Sequence, residues 1–296
     1  MKIMVFGGAG FLGSHVADCL SDNGHEVVIF DLMPSPYIRP EQGMVVGDIL
    51  DKEAVKKAAK GIDAVYHFAG MADISLAKQD PYKTIQTNII GTTNILEACC
   101  SNNVKRFTFA SSIYVYGEEG SFYRASKQAC ELIIECYHKQ NNIDFTILRY
   151  GSLYGPRANE TNWIYSVLKQ ALNEKKITRR GDGEELREYI HVSDAARLTV
   201  KTLGDEFKNQ YVMITGQQPT RIRDLLIMIK EMLNNEIKLE FTREDDDAGH
   251  YEITPYLFKP KLAKRLVNSS YVDLGQGLLE LINTIYDRQV HRKQTA

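Results

Sequence analysis

The stretch Ile3–Gly13, Ile-Met-Val-Phe-Gly-Gly-Ala-Gly-Phe-Leu-Gly, joins a short apolar run to a turn with glycines at positions 7, 10 and 13. The apolar run predicts a buried strand, and the residues after the turn predict a helix. Glycine permits a tight turn and a close approach of the backbone, and a helix N-terminus presents free N–H groups to phosphates. The stretch therefore predicts a dinucleotide-binding turn with Gly7, Gly10, Phe11, Leu12 and Gly13 at the pyrophosphate.

Strand-like apolar runs alternate with amphipathic segments through the first half of the chain. The runs are nearly continuous, as in parallel strands covered on both faces. We therefore expect an α/β fold with a doubly wound parallel sheet of the Rossmann type in residues 1–150, to which residues 187–204 return. Residues 151–186 and 205–296 are expected to form a smaller α/β C-terminal lobe that binds the substrate. The predicted strands are Ile3–Phe6, Val27–Phe30, Met44–Val46, Ala64–Phe68, Phe107–Ala110 and Thr146–Leu148.

Composition narrows the class of protein. The 296 residues are 44% hydrophobic and 25% charged with a net charge of −2, which indicates no nucleic-acid or membrane-surface partner. No run approaches the roughly 20 apolar residues of a membrane span. The five cysteines are an odd number without metal-ligand spacing, which favours reduced thiols and argues against a metal site. We expect a cytoplasmic protein.

The end of the second predicted strand bears on the choice of dinucleotide. Asp31 lies 21 residues after Gly10, close to the spacing of a ribose-binding carboxylate. A carboxylate there accepts from a 2′-hydroxyl and repels a 2′-phosphate, and Leu32 brings no cation to offset that repulsion. NAD is therefore favoured over NADP, the alternative being that Asp31 is only a turn residue. Asp48 and Ile49 follow the third predicted strand and are expected beside the adenine.

A tyrosine and a lysine in the stretch Tyr-Arg-Ala-Ser-Lys are the candidate catalytic pair. Tyr123 and Lys127 are four residues apart, so on a helix they share one face, and Ser111 and Ser112 lie just upstream. A free phenol has a pKa of about 10, and a neighbouring ammonium favours the phenolate. The pair therefore predicts a tyrosine base whose pKa Lys127 lowers.

Taken together, these motifs resemble the extended short-chain dehydrogenase/reductases, in the NAD-dependent nucleotide-sugar epimerase/dehydratase branch that contains UDP-glucose 4-epimerase. The resemblance implies that Ser112 polarises the carbonyl that forms on the sugar. It implies that Tyr123 is the acid/base and that Lys127 holds the nicotinamide ribose. The motifs that carry it, beyond those above, are His67–Gly70, Asn88 with Gly91 and Thr92, Ser112–Gly117, Leu148–Arg157, Gly181–Gly183 and Arg187–Val192.

Further site residues follow from the resemblance alone. On the cofactor side, besides the residues already named, it implies Phe68, Ala69, Gly70, Asn88, Ser111 and Tyr150. On the substrate side it implies Ser112, Tyr114, Ser152, Arg187 and Tyr251, with Arg187 at the nucleotide or diphosphate, where a guanidinium suits phosphate.

Three departures from the family pattern are visible. Only five residues separate Gly117 from Tyr123, where relatives carry a longer loop, so the site is expected to be more open or to be closed by the segment around Tyr251. Ile113 and Tyr114 replace the acidic pair of the 4,6-dehydratases, which argues against dehydration. Ser152 stands where many relatives have asparagine.

The sequence thus predicts an NAD-dependent epimerase of a nucleotide-activated sugar that acts at C4 through a transient 4-keto intermediate. The alternatives are a net oxidation or 4-keto reduction of such a sugar, and a non-catalytic NAD-binding sensor. Helices predicted over Tyr82–Asn102 and Tyr123–Asn141 favour a homodimer. The nucleotide and the sugar stay open.

Overall fold

The structure, a computed structural model, describes residues 1–242, 264–266 and 270–294. Tyr251 and the segment proposed to close the site lie outside the described residues. The chain divides into two compact units. Of the described residues, the first unit holds 1–150, 196–214 and 264–266, and the second holds 151–195, 215–242 and 270–294.

The described strands are β1 (Lys2–Phe6), β2 (Glu26–Asp31), β3 (Gly43–Val46), β4 (Ala64–His67), β5 (Arg106–Ser112), β6 (Asp144–Tyr150), β7 (Ser152–Tyr154), β8 (Lys176–Arg180), β9 (Leu186–His191), β10 (Gln210–Ile214), β11 (Pro219–Arg221), β12 (Lys238–Thr242) and β13 (Lys264–Arg265). The described α-helices are α1 (Phe11–Asp22), α2 (Lys52–Ala58), α3 (Ile74–Gln79), α4 (Pro81–Ile85), α5 (Gly91–Ser101), α6 (Ser121–Asn141), α7 (Trp163–Glu174), α8 (Val192–Lys201), α9 (Ile222–Met232) and α10 (Leu274–Gln294). A π-helical turn spans Gln86–Ile90, and 3₁₀ turns span Ile113–Tyr116 and Asp205–Phe207.

The first unit is built on one parallel sheet with the strand order β13-β10-β6-β5-β4-β1-β2-β3. Neighbouring residues of β1 enter two different apolar cores: Met4 and Phe6 pack in one cluster, and Ile3 and Val5 in another. Because successive side chains of a strand point to opposite faces, both faces of the sheet are covered. The predicted doubly wound parallel fold is confirmed.

The strand order reverses direction between β1 and β4. From β1 the chain proceeds outward to β2 and β3, and from β4 it proceeds the other way to β5 and β6. In open parallel sheets, ligands bind in the crevice beyond the carboxyl ends of the strands at such a switch point. The glycine turn after β1 and the loop after β4 both lie at that point.

The division of the chain after residue 150 differs from the sequence-based expectation. Strand β9, expected in the first domain, pairs with β7 and β11 within the second unit. Strand β10, expected in the second lobe, pairs along its whole length with β6. The apolar residues Val212 and Ile214 of β10 are fully buried in this arrangement. The position of β10 in the sequence did not indicate that it pairs with the first sheet.

The second unit has two small sheets, β11-β9-β7 and β12-β8, and its own apolar core. That core is centred on helices α7 and α9, through Leu168, Leu225 and Ile229, and on α10 through Leu281.

Candidate active site

The glycine turn after β1 leaves no room for side chains. Gly7 has a φ of +79°, and a Cβ added to it would lie 2.5 Å from the backbone nitrogen of Ala69. A Cβ on Gly13 would lie 2.2 Å from the carbonyl oxygen of Gly7. The turn and the loop after β4 are therefore in direct backbone contact.

Helix α1 begins directly after this turn with Gly10 as its N-cap. No side chain caps its first turn, and that turn contains no acidic residue. The first N–H groups of a helix have no partner within the helix, and the dipole favours an anion there. The backbone around Phe11, Leu12 and Gly13 thus suits the pyrophosphate of a dinucleotide, as the sequence predicted.

A cavity of about 680 Å³ opens beside the turn. Its lining brings together nine of the residues that the sequence assigned to the cofactor: Gly7, Gly10, Asp31, Leu32, Asp48, Ile49, Phe68, Ala69 and Gly70. The carboxylate of Asp31 accepts a hydrogen bond from the backbone N–H of Ala9 at 3.0 Å, so Asp31 also fixes the turn. The size and donors of this cavity fit NAD.

The candidate catalytic residues lie on β5 and α6. Ser112 ends β5, and its side chain hydrogen-bonds that of Tyr123, a residue that is only 8% exposed. The Lys127 ammonium lies 5.8 Å from the centre of the Tyr123 ring and donates to the carbonyl oxygen of Ala110 at 2.8 Å. The structure therefore brings these three side chains together.

The electrostatics of Tyr123 differ from the sequence-based expectation. Burial raises the pKa of the phenol to about 12, and the hydrogen bond with Ser112 lowers it only in part. The Lys127 ammonium, whose own pKa burial lowers, does not reverse this effect. Tyr123 is therefore a neutral phenol in this structure, and the lowering of its pKa that the sequence predicted for Lys127 is not found.

A buried ion pair that the sequence analysis missed supports this face of α6. The carboxylate of Glu131, one turn beyond Lys127, accepts from Arg149 at 3.0 and 2.7 Å and from the Ser111 hydroxyl at 2.6 Å. The guanidinium lies over the rings of Tyr116 and Tyr211, 4.5 and 4.6 Å from their centres. Ser111, which precedes Ser112 in the chain and was expected at the cofactor, thus hydrogen-bonds Glu131.

Asn88 and Tyr150, two residues expected near the nicotinamide, are engaged by protein groups. The side chain of Asn88 accepts from the N–H of Met71 at 2.7 Å, and it donates to the Met71 carbonyl at 3.0 Å and the Ser126 hydroxyl at 2.9 Å. The Tyr150 hydroxyl pairs with that of Thr199 at 2.6 Å. Their side chains therefore hold the surrounding elements in place.

The short connection before α6 is a compact turn. Gly120 has a φ of +93°, and a Cβ there would lie 2.8 Å from the ring of Tyr114. Arg124 donates to the carbonyl oxygen of Gly117 at 2.8 Å. The Tyr114 ring meets the Tyr123 ring edge-on at 6.3 Å, so Tyr114 forms a wall beside the candidate base.

The predicted substrate residues Ser152 and Arg187 belong to the second unit. Ser152 begins β7 and is paired in register with Tyr189 of β9. Arg187 is buried and donates to the carbonyl oxygen of Leu186 at 3.0 Å.

The cysteines and the helices bear on other functional classes. All five cysteines are free thiols. The described residues contain no group of three or more His, Cys, Asp or Glu side chains placed to hold a metal ion. Nor does any helix in the described ranges have the length and apolar character needed to cross a bilayer.

Known proteins resemble this chain over most of its length. A provisionally named UDP-glucose 4-epimerase of Methanocaldococcus jannaschii is 30% identical over 302 aligned positions, covering 95% of this chain and 97% of that protein. The UDP-glucuronic acid 4-epimerase of Bacillus cereus, solved with UDP-glucuronic acid and NAD, is 26% identical with a TM-score of 0.83, covering 97% of this chain and 100% of that one. A UDP-glucose 4-epimerase from Thermotoga maritima, at 23% identity and a TM-score of 0.84 over 98% and 100% of the two chains, shares the fold.

The family model described as the NAD dependent epimerase/dehydratase family matches residues 3–213. This match covers the glycine turn, Asp31 and all three candidate catalytic residues. It confirms the family that the motifs indicated, and with it the enzymatic class and the NAD dependence. The chain belongs to the NAD dependent epimerase/dehydratase family.

Proposed function

We propose that this chain is a 4-epimerase of a nucleotide-activated sugar. The observation that carries the proposal is the arrangement of Ser112 at the C-terminal end of β5 with Tyr123 and Lys127 in the first turns of α6, within the same unit as the dinucleotide cavity. The relatives named UDP-glucose and UDP-glucuronate 4-epimerases support the substrate class.

Each of the three side chains has a chemical task in this proposal. The phenolate of Tyr123 takes the proton of the C4 hydroxyl as the alcohol is oxidised, and the resulting phenol returns it when the ketone is reduced. Ser112, already hydrogen-bonded to that phenol, donates to the developing carbonyl oxygen. Lys127 holds an ammonium 5.8 Å from the centre of the Tyr123 ring, where it would act together with the cationic nicotinamide of bound NAD to favour the phenolate.

NAD, which the glycine turn and Asp31 would hold, would supply a hydride acceptor for C4 and then the hydride donor for the opposite face of the sugar, so no net redox change would occur. The remaining task of the protein is to exclude water and any general acid other than Tyr123. Tyr114 fits this task, because an aromatic wall beside Tyr123 brings no acid to the site, and loss of water from the sugar needs one. The 4,6-dehydratase reaction is therefore disfavoured.

The experiment is a panel of UDP-, GDP-, CDP- and dTDP-sugars incubated with the purified protein and catalytic NAD. The proposal expects interconversion of a C4 pair with deuterium at C4 retained in the product. Stoichiometric NADH release with an oxidised or reduced product would instead indicate the net redox alternative. Binding of NAD with no turnover on any member of the panel would favour the non-catalytic sensor.

We also infer a homodimer that packs through α4, the π-helical turn and α6. Large apolar side chains on these segments are exposed in the single chain: Tyr82, Ile85, Ile90 and Leu132, at 72%, 43%, 48% and 57%. Such exposure on neighbouring helices suits burial against a second copy. Sedimentation of Leu132→Asp should give a monomer where the unchanged protein gives a dimer; an unchanged dimer would contradict this interface.

A cytoplasmic location is the last part of the proposal. The free thiols of Cys99 and Cys130 are fully buried, and such thiols persist in a reducing compartment. Fractionation of the source cells with an antibody against the chain tests this inference, and recovery outside the cytoplasm would overturn it.

A further inference from the structure

One wall of the dinucleotide cavity is formed by α4 and the following π-helical turn. Asp80, Tyr82, Lys83, Gln86 and Thr87 line it, in addition to the glycine turn and the strand ends. Among the described lining residues, Lys83 is the one lysine or arginine, and Asp31, Asp48 and Asp80 are the carboxylates. The cavity thus carries an excess of negative charge, although its ligand carries a dianionic pyrophosphate.

The local contacts place this wall against the loop after β4. Thr84, next to Lys83, donates its hydroxyl to the sulfur of Met71 at 3.1 Å. Asn88, one turn further on, holds the backbone of Met71 through both its N–H and its carbonyl. That loop contacts the glycine turn through Ala69 and Gly7. A continuous series of contacts therefore links the helix of Lys83 to the turn that faces the phosphates.

The Lys83 ammonium is available for a ligand. Lys83 is exposed, and its side chain makes no ion pair with any residue in the described ranges. The three carboxylates are already bonded locally, each to a backbone N–H: Asp80 to that of Lys83 itself at 2.9 Å, Asp31 to that of Ala9 at 3.0 Å, and Asp48 to that of Leu50 at 2.9 Å. Among the described residues, the Lys83 ammonium is therefore paired with none of these three carboxylates.

We propose that Lys83 binds the pyrophosphate of the dinucleotide, opposite the N–H groups of the glycine turn. This inference rests on the NAD site of the proposed function and adds a side-chain contribution from α4. A flexible ammonium suits a phosphate as a point charge, and it offsets the repulsion between the pyrophosphate and the three carboxylates. Because Lys83 is exposed, its effect is modest and is screened by salt.

The test measures binding by calorimetry, with adenosine, ADP-ribose and NAD as probes, for the unchanged protein and for Lys83→Gln. We expect Lys83→Gln to weaken ADP-ribose and NAD about 3- to 10-fold at low salt, with a smaller loss at high salt. Adenosine, which has no phosphate, should bind both proteins equally. Lys57→Gln, a loss of the same charge on α2 away from the cavity, is the matched control and should change none of the affinities.

Equal affinities of NAD for the two proteins at low salt would overturn the role of Lys83 while leaving the NAD site intact. A failure of the unchanged protein to bind NAD would instead remove the proposed function itself. NADP is the remaining probe: a loss of NADP affinity much larger than the loss for NAD would place Lys83 at the 2′-position of the ribose and overturn the pyrophosphate assignment.

Discussion

The glycine turn and the catalytic face of α6, which we define as Tyr123, Lys127 and Glu131, contribute to one site by different means. The turn works through its backbone: Gly7 and Gly13 touch other main-chain atoms, and the donors are N–H groups. The catalytic face works through buried side chains that need partners on β5 and β6, such as the Arg149 guanidinium. The first region therefore tolerates no added volume, and the second tolerates no lost partner.

The largest expected effect separates chemistry from cofactor binding. Tyr123→Phe removes the proton acceptor and keeps the ring, so turnover of the sugar nucleotide should fall about 10²- to 10⁴-fold. NAD affinity should change little, because the dinucleotide cavity is unaltered. Steady-state kinetics and calorimetry measure the two quantities, and Tyr286→Phe, at a tyrosine that is 60% exposed, is the control. Full activity of Tyr123→Phe would remove the catalytic face from the mechanism.

The next prediction tests whether the catalytic face depends on its buried ion pair. Glu131→Gln leaves the Arg149 charge buried without a counter-ion, so the free energy of unfolding should fall by about 3–5 kcal/mol. Glu26→Gln breaks a solvent-exposed pair with Lys2 and should cost at most about 1 kcal/mol. Urea denaturation compares the two.

A double variant sharpens this result. In Glu131→Leu with Arg149→Met neither charge is left alone, so the protein should be more stable than Glu131→Gln. Equal stability of the single and double variants would show that the pair is not the source of the effect.

The glycine turn should respond to a single methyl group. Gly13→Ala places a Cβ 2.2 Å from the Gly7 carbonyl, so the turn must shift, at a cost of about 1–3 kcal/mol in stability and with weaker binding of NAD. Gly43→Ala adds the same group in β3, 3.4 Å from the Val28 side chain, and should leave NAD affinity unchanged. Matching NAD affinities for the two variants would contradict the backbone account of the turn.

The smallest effect concerns His67, which ends β4. Thr92 donates to the carbonyl of Asn88, so the Nε2–H of His67 donates to Thr92 at 2.9 Å, and Nδ1 is left unprotonated and buried. Burial lowers the pKa of His67 to about 3. The unfolded chain takes up this proton below about pH 6.5, so stability should be lost as the pH falls from 6.5 towards 3.

Between pH 7 and pH 6 this loss should be about 0.7 kcal/mol. Urea denaturation at the two pH values measures it, and in His67→Gln the difference should shrink. An unchanged difference in the variant would assign the pH dependence to other groups.

The glycine turn could be predicted from the sequence more completely than the catalytic face, for a physical reason. Gly7, Gly10, Gly13 and Asp31 act through local spacing, and local spacing is what a sequence displays. The pairing of Glu131 with Arg149 depends on the packing of α6 against β6, which no local pattern shows. The structure therefore showed the buried Glu131–Arg149 pair beside Tyr123 and Lys127, the two residues that the resemblance had already identified.

Two further differences have the same origin. The helix predicted over Tyr82–Asn102 is interrupted by the π-helical turn Gln86–Ile90, which carries Asn88 to the Met71 backbone. The sign of the Tyr123 pKa shift depends on how deeply the ring is buried, and burial is a tertiary property. The spacing of Tyr123 and Lys127 predicts that they share one face of a helix. It does not predict whether desolvation or the lysine charge has the larger effect on the pKa of Tyr123.

The most direct test of the acid/base role is a titration of the Tyr123 phenol. The measurement is the ultraviolet phenolate absorbance of the protein minus that of Tyr123→Phe, as a function of pH, with and without NAD. The account predicts a pKa of about 12 without the dinucleotide and a lower pKa when its cationic nicotinamide is bound, because a nearby cation favours the phenolate. A pKa that is the same in both titrations would contradict it.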